Sequence, residues 1–221
     1  MDAIGPKKTL VEQTYDILVD AICSGELEPG ERLTQDEIAA RLDVSRQPVN
    51  SAIAILKANG FVEDTGRRGV VVSAIDTSQF NSIYGFRAVV EPFAVTLAAT
   101  RLAEDAGTEA ERILQRGWAA VKADDIRGLI QSDMEFHEMI YRWSGNHVVE
   151  SSMRINWQHL RRGMAEVLRN PGAARPSWDD HTRIVEALLA GDSEVASVTM
   201  KDHIERAHSR TIEAISRQSS I

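Results

Sequence analysis

The sequence predicts a mainly helical chain in two parts. The first is a short helical unit closed by a small β-hairpin, and the second is an all-helical antiparallel bundle. Three observations predict this. Apolar residues recur at helical spacing along most of the chain. Aromatic residues make up only 5% of it, while Ala, Leu, Glu and Arg are abundant, which favours helix over sheet. Strand-like sequence occurs only near Phe61-Val62-Glu63 and Val70-Val71-Val72, and none returns after the polar stretch Ala74-Ile75-Asp76-Thr77. The expected domains are therefore residues 1–75 and 76–221.

In the first part, Thr9 to Cys23 reads as a helix with Leu10, Thr14, Ile17, Leu18, Ala21 and Ile22 on one side. Ser24-Gly25 through Pro29-Gly30 breaks it. Thr34 and Glu37 have the spacing of a capping box and begin a second helix, whose inner face is Ile38, Ala39 and Leu42. After the turn Asp43-Val44, Ser45 is placed to cap a third helix, with Pro48 in its first turn and Val49, Ala52, Ile53 and Leu56 as its buried stripe. Asn59-Gly60 ends that helix, and the two strands follow, joined by the glycine-hinged tip Asp64-Thr65-Gly66-Arg67-Arg68-Gly69. This order describes a winged helix-turn-helix. Ser45, Arg46 and Gln47 at the start of the third helix suit base edges or phosphates, and Arg67 and Arg68 at the wing tip suit a phosphate backbone or minor groove.

Charge qualifies that picture. The net charge is −8, with eight basic and twelve acidic residues up to Ser73 and seventeen and twenty-one beyond it, so each half carries −4. DNA contact must come from a local patch, with weak long-range steering. No apolar run is long enough to span a bilayer, and Met1 to Lys8 shows no apolar signal core. The single Cys23 sits at an apolar helix position and fits a reducing cytoplasm.

The segment Leu42-Asp43-Val44-Ser45-Arg46-Gln47-Pro48-Val49-Asn50-Ser51-Ala52 resembles the recognition segment of the GntR family of bacterial transcription regulators. Leu27-Glu28-Pro29-Gly30-Glu31-Arg32-Leu33 and Asn59-Gly60-Phe61-Val62 match that family too. The resemblance implies DNA contacts from Ser45, Arg46, Gln47, Arg67, Arg68 and Gly69, and from Asn50, where the family usually has arginine. Asp36 stands where some relatives have arginine, and an acid there repels phosphate.

Six helical segments follow, near residues 79–102, 108–123, 125–143, 148–168, 177–189 and 193–216. In the first, Ile83, Val90 and Leu97 repeat at seven, as do Phe86 and Phe93, and Pro92 predicts a kink. Arg87 and Glu91 stand one turn apart. Either they form an ordinary ion pair, or Arg87 turns inward to hold a ligand carboxylate. Asp133 and His137 leave one helix face a turn apart among apolar neighbours, and His181 and His203 occupy inward-phased positions on later helices. A buried acid and three imidazoles need partners, which a metal supplies. His147 and His208 read as surface groups, while His159 could face pocket or solvent.

Asp133-x-x-Phe136-His137, Asp180-His181 with Ile184 and Ala187, and Gly191-Asp192, Ala196, Met200 and His203-Ile204 resemble the FCD ligand-binding domain of FadR-like GntR regulators. Arg87, Glu91-Pro92 and Ala98-Ala99 match its first helix. The resemblance implies a DNA-binding regulator, acting as a repressor, that binds a palindromic operator as a cytoplasmic homodimer. It also implies a divalent metal on Asp133, His137, His181 and His203. Zn²⁺ leads for that donor set, with Ni²⁺ or Mn²⁺ open. A small carboxylate effector beside Arg87 is expected to modulate operator binding. Alternatives are a regulator that answers to metal alone, a purely structural metal, and a metal-dependent hydrolase. Glu135 and Glu138 point to other helix faces, which leaves the hydrolase no spare base.

Overall fold

The computed structural model describes residues 8–66, 69–170 and 172–218. The chain divides into two compact units, up to Ile75 and from Asp76 onward.

The first unit contains α1 (Leu10–Ser24), β1 (Arg32–Leu33), α2 (Gln35–Leu42), α3 (Arg46–Ala58), β2 (Val62–Asp64) and β3 (Val70–Val72). The Thr34–Glu37 capping box forms, with each side chain satisfying the other residue's backbone N–H. A second box, Thr9 with Glu12, starts α1. Ser45 holds the N-cap position of α3, but its hydroxyl makes no capping bond, contrary to expectation. The hydrophobic core joins Leu18, Ile22, Ile38, Val49, Ile53, Leu56, Phe61 and Val72. On α1 the expected stripe is rotated: Leu10 and Ile17 are exposed, and Val19 and Cys23 are buried in their place.

The sheet has three strands where two were expected, in the order β1-β3-β2. Arg32 and Leu33 pair antiparallel with Val71 and Val70. Two residues are too few to show alternation, so β1 was invisible to periodicity. Its closeness explains Gly69, which has φ +112° and where a Cβ would stand 2.7 Å from the Leu33 carbonyl oxygen. Arg67 and Arg68 lie outside the described residues.

The second unit is helical: α4 (Thr77–Ala99), α5 (Ala106–Ala123), α6 (Ile126–Ser144), α7 (His147–Leu168), α8 (Arg175–Leu189) and α9 (Ser193–Gln218). Helix α4 is continuous through Pro92. It packs chiefly on α9 and α6. Bonds from Tyr84 to Thr211 (3.0 Å) and from Ser197 to the Pro92 carbonyl (3.3 Å) show that α4 and α9 run antiparallel. Helix α8 lies against α9 and α5. Gly117 makes the α5 contact possible, because a Cβ there would meet the Trp178 ring at 2.0 Å. The sequence reading put Phe86 and Phe93 on a repeating apolar face. Both are exposed, at 41% and 50%, with Val89 beside them at 74%. The inward face of α4 is instead Phe80, Tyr84, Arg87, Glu91, Ala94 and Ala98.

Candidate functional site

Asp133 and His137 project from one face of α6, His181 from α8 and His203 from α9. The three imidazoles are almost wholly buried. One donor atom from each of the four residues lies within 4.8 Å of all the others. The Nε2 atoms of His181 and His203 are 3.3 Å apart. The Asp133 carboxylate reaches His181 Nε2 at 3.6 Å and His137 Nε2 at 3.9 Å. Phe136 stacks on the His181 ring at 3.9 Å and closes one side.

The surroundings prepare these rings as ligands. Burial, reinforced by His203 and His137, holds His181 well below the usual imidazole range. Burial also lowers His203, against a contrary pull from Asp180. Both rings are therefore neutral near pH 7, with lone pairs to offer. His137 Nδ1 lies 2.7 Å from Glu91 Oε2, and Arg87 Nη2 lies 3.3 Å from His137 Nε2. Glu91 therefore stands on the Nδ1 side of the ring, the outer position that orients a ligand imidazole. Asp180 Oδ2 lies 3.6 Å from His203 Nδ1 in the corresponding outer position. Separations of 3.3–3.9 Å between neighbouring donors are of the size that a shared ion spans, and three imidazoles with a carboxylate suit a divalent transition metal.

Arg87 forms the i,i+4 ion pair with Glu91, through Nε at 2.6 Å, and it does so buried and facing inward. Burial opposes the Arg87 charge, but Glu91 more than restores it. Burial likewise opposes the Glu91 charge, yet Arg87 and His137 hold that carboxyl well below the carboxylate range. Tyr141 donates to Glu91 Oε1 at 2.7 Å. A cavity of about 50 Å³ adjoins the tetrad, with Asp133, Arg87 and His203 at its buried end and Ser177 and Arg210 at its half-exposed end. His159 is buried and faces Gln79 at 3.1 Å, His147 is exposed, and His208 stacks on Tyr84. The sequence reading missed Asp180, Tyr141 and Arg210. Asp180 was visible only as the neighbour of a ligand, and a residue one step along a helix points about 100° away.

In the first unit, Ser45, Arg46, Gln47 and Asn50 are all exposed on the first turns of α3. Arg46 Nε pairs with Asp36 Oδ1 on α2. Gly69 is buried against β1. Among the described residues no helix is long and apolar enough to cross a membrane.

A family model described as "Bacterial regulatory proteins, gntR family" matches residues 10–72, and the FCD domain matches residues 82–206. The HTH-type transcriptional repressor RspR of Escherichia coli (strain K12) is 26% identical over 216 residues, covering 96% of this chain and 90% of that one. The gluconate operon transcriptional repressor of Bacillus licheniformis is 29% identical over 167 residues, covering 75% and 67%. Among solved structures, a putative GntR regulator from Rhodococcus sp. RHA1 aligns with a TM-score of 0.76 at 27% identity, covering 92% and 97%. E. coli McbR/YncC shares the fold with a TM-score of 0.81 at 22% identity, covering 96% and 100%. The two curated relatives are named as transcriptional repressors. The chain belongs to the GntR family of bacterial transcription regulators, with an FCD domain as its C-terminal part.

Proposed function

We propose that this regulator binds a palindromic operator as a homodimer, and that a divalent metal and a small carboxylate in its FCD domain modulate that binding. The observation that carries the reading is the convergence of Asp133, His137, His181 and His203 donor atoms within 4.8 Å beside a cavity. Zinc is the leading ion for this donor set. When bound, the ion supplies concentrated positive charge and open positions for an oxygen donor. Arg87 lines the same cavity and adds positive charge beside an acid held there, although Glu91 already pairs with it. The gluconate operon named for one relative agrees with an organic acid as signal. The exposed stripe Phe86, Val89 and Phe93 on α4 supports a second copy as partner.

The test is metal analysis followed by operator titration. We expect about one zinc per chain and a 5–150-fold change in operator affinity with the right carboxylate, the usual range of allosteric coupling. Operator affinity indifferent to every carboxylate, in fully zinc-loaded protein, defeats the effector reading. Operator affinity that follows zinc alone favours a metal sensor.

DNA contact is assigned to Ser45, Arg46, Gln47 and Asn50 with the wing residues Arg67, Arg68 and Gly69. Asp36 competes with phosphate for Arg46. Asp36→Asn is therefore expected to tighten operator binding about two- to fivefold, the scale of one exposed ion pair. It should also steepen the salt dependence, because one more cation meets phosphate. Fluorescence anisotropy across a salt series measures both. Weaker binding would mean that Asp36 orients Arg46 rather than restraining it.

A further inference from the structure

We infer that Arg210 is the cation that receives the effector's carboxylate. This rests on the proposed effector role of the FCD domain. Three observations support it.

The first concerns charge. Arg87 is matched by Glu91 at 2.6 Å, so its charge is already balanced. Arg206, one turn before Arg210, is matched by Asp180 at 2.8 Å. Arg210 differs from both. Its Nη2 donates to the neutral Ser177 hydroxyl at 3.0 Å, and among the described residues no carboxylate lies within ion-pair distance of it. Among the described residues it is the cation lining this cavity that has no close carboxylate partner, although Asp180 and Asp133 act on it from further off.

The second concerns reach. His203, Ala207, Arg210 and Thr211 all line the cavity and follow one face of α9. Seven residues of helix separate His203 from Arg210 by about 10 Å along the axis. Helical side chains lean towards the N-terminus, so a long side chain at Arg210 leans back towards the ligand cluster. Ala207, the small residue between them, leaves that path open.

The third concerns coupling. Without metal, the Asp133 and Arg210 charges cancel within the cavity, so an anion gains little on entering. A divalent ion makes the same cavity net positive. Carboxylate binding should therefore require metal.

Calorimetry on the zinc-loaded full chain tests the inference, with L-lactate, acetate and uncharged lactamide as probes. Chelator competition measures zinc affinity in parallel. Arg210→Gln is expected to weaken lactate binding about 10–100-fold, the cost of one charge-assisted hydrogen bond. Zinc affinity should stay within about twofold, since Arg210 is not a ligand. Arg210→Lys should recover part of the loss. Lactate should bind more tightly than lactamide, and only with zinc present. Equal lactate affinity in Arg210→Gln and the unaltered protein overturns the role of Arg210 while leaving the effector reading intact. No carboxylate binding to the unaltered zinc-loaded chain overturns the effector reading and this inference together.

Discussion

Glu91→Ala should destabilise the FCD domain by about 3–5 kcal/mol, the usual cost of breaking a buried ion pair from one side. Glu91 is fully buried and Arg87 nearly so. Arg87 cannot shed its proton, so removing Glu91 leaves an uncompensated charge in a low-dielectric interior. Two further groups lose their partner. Tyr141 donates to Glu91 Oε1 at 2.7 Å, and His137 Nδ1 lies 2.7 Å from Oε2. For a domain of this size the melting temperature should fall by roughly 6–20 °C. Chemical denaturation of metal-free protein isolates this loss from metal binding. Exchanging both charges, Arg87→Met with Glu91→Leu, should recover most of the stability, because no charge is then stranded. A Glu91→Ala protein within about 1 kcal/mol of the unaltered chain would mean that water reaches Arg87.

This pair also shows what the sequence could and could not disclose. Arg87 and Glu91 were visible as an i,i+4 pair, but the sequence left open which way they faced. Phe86, Val89 and Phe93 are large apolar residues of α4 that face outward, while a charged pair and Tyr84 face inward beside Phe80, Ile83 and Val95. Hydrophobic periodicity assumes that the apolar side is the core side, and a functional interior reverses this locally. The four ligand candidates were legible because they sat among buried apolar neighbours at helical spacing. Their outer partners were not, since Glu91 reaches His137 across 46 positions of chain and Asp180 reaches His203 across 23. Contacts between helices depend on packing, which one sequence does not encode locally. In the first unit the capping box at Thr34 announced α2, because its chemistry is complete within four residues. The strand β1 gave no such sign, and its pairing with β3 is a long-range contact.

Acid should destabilise the metal-free protein steeply, and replacing His181 should flatten that response. His181 and His203 are both held below the ordinary imidazole value of 6.5 in the folded chain, chiefly by burial. Above 6.5 both states leave these rings neutral, so their contribution to stability is fully present. As pH falls from 6.5 towards the folded values, the unfolded chain takes up protons that the native chain refuses, and stability is lost. Each ring contributes roughly 1.4 kcal/mol per pH unit inside that window. Below the folded values the native state protonates as well and the loss levels off. Glu91, also depressed, adds a second phase of the same sign below the carboxylate range. His181→Gln removes one titrating ring, so the slope below pH 6.5 should drop by roughly 1.4 kcal/mol per unit whatever the absolute stability of the variant. The same substitution removes one of four ligands, and zinc affinity should fall by more than the ~10–100-fold typical of losing an outer partner. Zinc should raise the midpoint of the unaltered protein by mass action and leave the variant almost unchanged. Because the native rings resist protonation, zinc should leave the unaltered protein together with unfolding rather than before it. Denaturation midpoints from pH about 7.5 to 5 in chelator and in zinc, with released metal followed by a colorimetric dye, test every step. Zinc release well before loss of helical signal would show that protons reach the native rings directly, and a flat metal-free profile would show that His181 and His203 are not the buried neutral pair described above.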